Sequence, residues 1–510
     1  MKNISELKVG VLLSYLTIFM TVIVGFLLTP YMLKRLGQAE YGLYAMMGSF
    51  VATLGLLDFG INNAIVRYVA KYKSEKNKES EKVFLSTIFN IYFGISFILL
   101  IIGTILYFNL DTLLNKSLTA IELKKAKIMF IILIFNLVVL LPGNAFNAIS
   151  SGYEKFVFPR ASILIKYLVR SLVIVSILYF GTNAVGIVIV DTVMNILLIS
   201  ANMYYVIRFL NIKIALNVFQ KKMMYEVFSY SFWIFIIAIT RNFQWQLSQF
   251  LVGLKTNTQT VAVMSIGLML SGFYSAFGGG ITSVLLPKAT NLVVKEASTQ
   301  ELSKKMIEIG RIILFIQLYL YGGFIIFGHL FISLWVGDKY DKSWLIAVLI
   351  MSVMTFIFTQ GFGNSIIEAQ KKIKFRSITY LIIIVIGISL GYILIDRIGI
   401  LGMVVGITLS LFANVIAMNI YYHKVIKLNM LYFWEQTYLK ISIVFGIIII
   451  FFNLVVKHFY QFNNWFDLLL LAVTYSTVYL FCMYFFVLNG NERKILYLDK
   501  FFKYSNYKSR

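Results

Sequence analysis

The chain reads as an all-α, polytopic membrane protein of about 14 transmembrane helices: two parallel six-helix lobes around a central cavity, then two C-terminal helices. Three observations predict this. Sixty percent of the 510 residues are hydrophobic. The apolar residues fall into runs of membrane-crossing length. Lysine and arginine crowd into every second gap between the runs. A hydrocarbon core about 30 Å thick needs roughly 20 apolar helical residues. Only helices and closed barrels satisfy backbone hydrogen bonds in lipid, and runs this long mean helices.

Taken in order, the first run, 9–33, has no A-x-A-like cleavage site and leads straight into another span. It is therefore a signal-anchor helix rather than a removed signal peptide. Runs 41–66, 83–108, 128–150, 161–180 and 184–207 complete the first six, in a lobe spanning 1–210. Runs 227–251, 260–286, 309–334, 344–368, 377–395 and 398–421 form the second lobe, 211–425. Runs 438–457 and 465–488 follow, with a basic tail, in 426–510. An even count puts both termini on one side. That side carries 32 of the 46 Lys/Arg, the opposite loops carry 11, and three lie inside runs. The positive-inside rule makes the rich side, and both termini, cytoplasmic.

The net charge of +24 is explained the same way. The lysines hold topology and touch anionic headgroups, and nucleic acid is not an expected partner. The tail from Arg493 to Arg510 reads as a further membrane-surface anchor. Trp335, Trp344, Trp434 and Trp465 fall at run ends, as interfacial belts require. Trp233 lies a few residues inside a run and Trp245 deep within one. Cys482 is the only cysteine, so no intrachain disulfide can form.

The chain also repeats itself at an offset of roughly 220 residues. Gly143-Asn144 and Lys155-Phe156 recur as Gly363-Asn364 and Lys374-Phe375. Asn202-x-Tyr204-Tyr205 recurs as Asn419-x-Tyr421-Tyr422, and Gly186 as Gly402. Six spans per half is an even number, so the halves share one topology. Alternating access by rocking lobes is the functional expectation. A duplication without moving parts is the alternative.

Several chemistries have no signature. There is no G-x-x-x-x-G-K-[ST] loop for ATP. His329, His423 and His458 show no metal-ligand spacing. The longest outer loop, near 109–127, is too short for a sizeable catalytic domain. The expectation is a non-enzyme without a cofactor or bound metal.

Three cations break the membrane pattern. A charged side chain near mid-bilayer costs roughly 2.5–3.5 kcal/mol on the insertion scale, so it faces a cavity or a partner. Arg241 sits near the middle of the seventh run. Gln244, Trp245 and Ser248 follow at i+3, i+4 and i+7, on one helical face. Arginine there can hold a phosphate by paired hydrogen bonds, and Trp245 can stack on a sugar ring. A structural ion pair or hydrogen-bond network is the alternative. Lys166 and Arg170 lie one turn apart in the fifth run; they line a cavity, or Lys166 snorkels to the interface. Arg67 closes the second run, as a substrate contact or as a topology anchor. The acids Asp58, Asp191 and Glu368 could couple transport to Na+ or H+, or neutralise a nearby arginine. Gly272, Ala276 and Gly280 recur at every fourth position of the eighth run, which suggests close helix packing there, and Gly278-Gly279-Gly280 a bend.

The stretches Glu40-Tyr-Gly-Leu-Tyr44, Leu57-Asp-Phe-Gly60 and Arg67-Tyr-Val-Ala70 resemble the start of the polysaccharide (O-antigen and capsule) repeat-unit flippases of the Wzx type. So do Leu285-Leu-Pro-Lys288 and Leu334-Trp-Val-Gly337. These flippases belong to the multidrug/oligosaccharidyl-lipid/polysaccharide exporter superfamily. The resemblance covers nearly the whole chain through loose motifs. It implies a V-shaped, MATE-like fold in the cytoplasmic membrane of a bacterium, acting as a monomer. It also implies an undecaprenyl-diphosphate-linked oligosaccharide as substrate, turned from inner to outer leaflet. Membrane lipids, a polysaccharide polymerase and chain-length proteins would be partners. Cationic cavities recur in that family, which suits Arg241, Arg170 and Lys166, although no family motif places substrate on them. The first run has no acidic residue, whereas many cation-coupled drug extruders of the superfamily carry one there. A cation-coupled small-molecule exporter is the second expectation, and a membrane polysaccharide polymerase the third.

Overall fold

The computed structural model describes residues 6–212, 214, 216, 218–459 and 464–495. The tail beyond 495, expected to anchor at the membrane surface, lies outside the described residues, as do the side chains of Trp233 and His458. The described residues contain helices and no strand. The chain divides into two compact units, Met1–Ser265 with Ile388–Met403, and Ile266–Gly387 with Val404–Arg510.

The first unit is built on α1 (Glu6–Leu54), α2 (Ile61–Ser74), α3 (Lys78–Leu114), α4 (Ala120–Gly152), α5 (Val157–Tyr179) and α6 (Ala184–Arg208). It also holds α7 (Lys221–Asn242) and α8 (Ser248–Lys255), joined through a π-helical turn at Phe243–Leu247. Next come α9 (Thr258–Thr282), which crosses between the units, α10 (Leu285–Val294), α11 (Thr299–Val336), α12 (Lys342–Thr359) and α13 (Gly361–Ala369). They are followed by α14 (Ile373–Ile398), α15 (Ile400–Lys424), α16 (Met430–Trp434), α17 (Lys440–Phe459), α18 (Trp465–Phe486) and α19 (Gly490–Ile495). A second π turn, Glu435–Leu439, joins α16 to α17.

Among the described residues, twelve helical stretches are long and apolar enough to cross a membrane. Two differences account for the expected count of about 14. The first two runs appear as one stretch, Lys8–Ser74, because the turn between them is a kink at Gly37 (φ 79°, ψ 168°). The seventh run is helical throughout but carries Arg241, Asn242, Gln244, Gln246 and Gln249, too many polar groups for an apolar span.

The halves share local architecture. After α1 the chain makes a 3-10 turn at Gly55–Asp58, then passes through left-handed Phe59 (φ 50°) and Gly60 (φ 70°) into α2. The matching helix of the second half breaks between α9 and α10. α2 packs on α4 in one half, and α10 on α13 in the other. The rings of Phe158 and Tyr205 stack at 4.3 Å and 7°, joining α5 to α6. Phe375 and Tyr421 stack at 4.2 Å and 8°, joining α14 to α15. The two stacks use different members of the Tyr-Tyr pair, the second (Tyr205) in one half and the first (Tyr421) in the other.

The spacing of small residues in α9 does not give the close packing expected of it. A Cβ added at Gly272 or Gly280 would meet nothing within 4 Å. The crowded positions are Gly267, where a Cβ would stand 2.7 Å from Ile346, and Gly278, where it would stand 2.4 Å from Gln317 and Phe358. α9 continues through Gly278-Gly279-Gly280 and breaks only after Thr282. Periodicity alone does not say which face meets a neighbour.

The last two long helices pack on each other and on α11. Tyr475 and Tyr479, both buried in α18, donate their hydroxyls to the α11 carbonyls of Tyr319 (3.0 Å) and Phe315 (2.7 Å). A buried hydroxyl without a partner is costly, and a helical carbonyl keeps a second lone pair free to accept one.

Candidate functional site

Five helices and the π turn converge on one polar cavity in the first unit. α5 contributes Lys166 and Arg170, one turn apart on one face. α6 contributes Asp191 and Asn195 at the same spacing. α1 supplies Tyr44, α4 supplies Asn136, and Gln246 and Gln249 come from the π turn and α8. Together they line a cavity of about 440 Å³. That is within the range of small-ligand sites and too small for a whole oligosaccharide.

The charges in it are unevenly matched. Arg170 grips Asp191 through two nitrogens: Nε bonds Oδ1, and Nη2 donates to Oδ2 at 3.1 Å. Tyr44 completes the knot, donating its hydroxyl to Asp191 Oδ2 at 2.9 Å and accepting from Arg170 Nη2 at 3.1 Å. This fork geometry is the strong form of an ion pair. Lys166 donates to Asn195 Oδ1, and Asn195 Nδ2 donates to Asn136 Oδ1 at 3.0 Å. Lys166 has no carboxylate partner among the described residues. An ammonium has three donors and this one uses a single neutral amide, so the cavity keeps one unbalanced positive charge.

The stripe expected on α7 is broken. The π turn widens the helix from Phe243 to Leu247, so the i+3, i+4, i+7 register no longer holds. Gln244 and Ser248 are buried, and Ser248 Oγ donates to the Gln244 carbonyl at 2.7 Å. Trp245 is partly buried. Arg241 is exposed, outside the cavity lining, and has no ion pair or hydrogen bond among the described residues. Gln246 and Gln249 are the polar residues of this helix that reach the cavity, and Gln249 also donates to Ser265 at 2.8 Å.

Arg67 stands exposed in the middle of α2, its guanidinium 5.9 Å from the Tyr68 ring centroid, outside the cavity lining. The three acids have three fates. Asp191 is taken by Arg170. Glu368 is exposed at the end of α13. Asp58 sits in the helix break and accepts only from neutral groups, the Tyr92 hydroxyl at 3.0 Å and Asn62 Nδ2 at 3.2 Å. The Oδ1 of Asn62 beside it is buried without a partner among the described residues. No group of three or more His, Cys, Asp or Glu able to hold a metal occurs among the described residues.

Tyr44, Asn136, Gln246 and Gln249 escaped the sequence reading. Tyr44 lies in the Glu40-Tyr-Gly-Leu-Tyr44 stretch, in which Glu40 and Gly42 also have tasks. Glu40 binds Lys125 and accepts from the Ala184 amide, the first residue of α6, at 3.2 Å. A Cβ on Gly42 would stand 1.7 Å from the Thr258 carbonyl oxygen, so only glycine fits. The stretch seats α6, which carries Asp191, against α1, which carries Tyr44.

The sequence profile of a family described as polysaccharide biosynthesis protein matches residues 7–293, more than half of the chain. Among curated proteins none matches the sequence. In fold the chain is similar to a lipid II flippase, MurJ, in an inward closed conformation, with a TM-score of 0.70 at 16% identity, over 92% of this chain and 98% of that one. It is also similar to a point mutant of a Vibrio cholerae MATE transporter, VcmN (TM-score 0.54, 14% identity, 84% and 99% covered). An inward-facing multidrug resistance MATE transporter of the MOP superfamily matches at 0.53 and 14% identity, over 78% and 97%.

Proposed function

The chain belongs to the polysaccharide biosynthesis protein family, and from that premise we propose that it flips an undecaprenyl-diphosphate-linked oligosaccharide across the cytoplasmic membrane for surface polysaccharide assembly. The observation that carries this reading is the unbalanced cation in the first unit's cavity. Lys166 stands at membrane depth with two donors uncommitted, while Arg170 beside it is neutralised by Asp191. A buried cation without a counter-ion is expensive unless it meets an anion. A lipid diphosphate supplies one. Arg241, exposed outside that cavity and unpaired among the described residues, is a second cation of the same unit. The amides of Gln246, Gln249 and Asn136 can bond the sugar nearest the diphosphate, while the lipid tail stays in the bilayer.

Coupling to H+ or Na+ falls to Asp58 in this reading. It is the one of the three candidate acids that is both in the membrane region and held only by neutral donors, and it lies in a helix break. A change in its charge would act on a segment already lacking helical geometry. The chain acts as a transporter rather than an enzyme, as a monomer with both termini cytoplasmic, beside a polymerase and chain-length proteins that take the unit onward.

The test is to delete the gene, identify the lipid-linked intermediate that accumulates in the inner leaflet, and complement with variants. Lys166→Met and Arg241→Ala are expected to leave the protein in the membrane and abolish surface display of the glycan. Normal display with both substitutions present would remove the cations from the account.

A further inference from the structure

The second unit carries a cleft of about 1380 Å³ that the transport reading does not use. It lies where the start of α11, the α15–α16 connection, the start of α17 and the α18–α19 connection meet. Six cations and two carboxylates line it. Both carboxylates are already engaged. Glu308 binds Lys305 within α11. Glu492, buried at 6% exposure, takes Arg311, whose Nη1 donates to the Gln436 carbonyl at 2.6 Å and Nη2 to the Val487 carbonyl at 3.1 Å. Arg311 thus staples α11, the second π turn and the end of α18 into a firm wall.

The other four cations, Lys304, Lys427, Lys440 and Lys494, have no carboxylate partner among the described residues. The lining residues Tyr432 and Lys440 are each preceded by an exposed leucine, Leu431 at 79% and Leu439 at 58%. Charge without a counter-ion next to bare aliphatic surface is the pattern of a site for an anionic headgroup with its acyl chains. We propose that this cleft binds the phosphate of an anionic phospholipid, held by the four lysines with its chains along Leu431 and Leu439. A free phosphate would use the lysines but gain nothing from the leucines.

The test is native mass spectrometry of the full chain in detergent, with dioleoylphosphatidylglycerol, dioleoylphosphatidylcholine and soluble glycerol 3-phosphate as probes. The wild type is expected to retain phosphatidylglycerol over phosphatidylcholine. Affinity should fall about fivefold for each lysine changed to glutamine, to near nothing in the quadruple variant. The quadruple lysine-to-arginine variant should keep the lipid, which separates charge from fold. Equal retention by the glutamine variant, or loss by the arginine variant, would overturn the proposal. Displacement of the lipid by equimolar glycerol 3-phosphate would overturn it too, assigning the cleft to a soluble phosphate.

Discussion

The Arg170–Asp191 pair sets a quantitative expectation. Each side chain is 19% exposed, well inside the protein but not fully desolvated. Changing Asp191 to Asn removes the charge that two arginine nitrogens contact and leaves Arg170 only neutral acceptors, the amide oxygen and the Tyr44 hydroxyl. Exposed pairs contribute at most about 1 kcal/mol, and breaking a buried pair costs about 3–5 kcal/mol. This geometry lies nearer the buried limit, so Asp191→Asn and Arg170→Gln should each destabilise by about 3 kcal/mol. The double variant strands no charge and should cost no more than either single change, so the two couple by about 3 kcal/mol. The assay is equilibrium unfolding in mixed micelles, applied to all four corners of the cycle. Additive effects, with coupling below about 0.5 kcal/mol, would show that the pair does not form. Arg170 would then be as free as Lys166.

Two further expectations follow from local geometry. Asp58→Asn should abolish any acceleration of transport by an imposed proton or Na+ gradient while leaving the protein folded; in proteoliposomes, an unchanged gradient response would clear Asp58 of coupling. Gly42→Ala forces a Cβ to within 1.7 Å of a backbone oxygen, so helix α1 or α9 must shift. Overpacking of this kind costs about 1–3 kcal/mol or more, read as a lower unfolding temperature in detergent. Wild-type stability would mean that the two helices do not cross there.

Much of the architecture was legible because the bilayer imposes a coarse rule. Span lengths and alternating basic loops follow from hydrophobic thickness and insertion energetics, so they can be read without tertiary contacts. The breaks were legible only as motifs: Leu57-Asp-Phe-Gly60 looked like a family likeness, and its left-handed backbone appears only in three dimensions. The site was half legible. Lys166 and Arg170 stood out by their cost in an apolar run, and so did Asp191. That Arg170 is neutralised and Lys166 is not depends on contacts with residues 21 and 29 positions away, which no helical periodicity encodes. Tyr44, further still from Arg170 in sequence, carried no polar signal among the many tyrosines. Arg241 was assigned its neighbours by an ideal α-helix, and the π turn that follows redistributes them. A run crowded with Gln and Asn is a weak sign of such a turn and gives no register.

The central claim is that the cationic cavity of the first unit passes a lipid-linked diphosphate from one leaflet to the other. The most direct measurement uses purified protein in liposomes loaded with a fluorescent undecaprenyl-diphosphate oligosaccharide on one leaflet, with exposure on the other read by a membrane-impermeant quencher. The wild type should move the headgroup across, the Lys166→Met variant should lose at least about tenfold in rate, and a Lys166→Arg variant should recover it, since about 1.4 kcal/mol is tenfold. Headgroups that stay on their original leaflet with wild-type protein, or cross equally fast with Lys166→Met, would contradict the account.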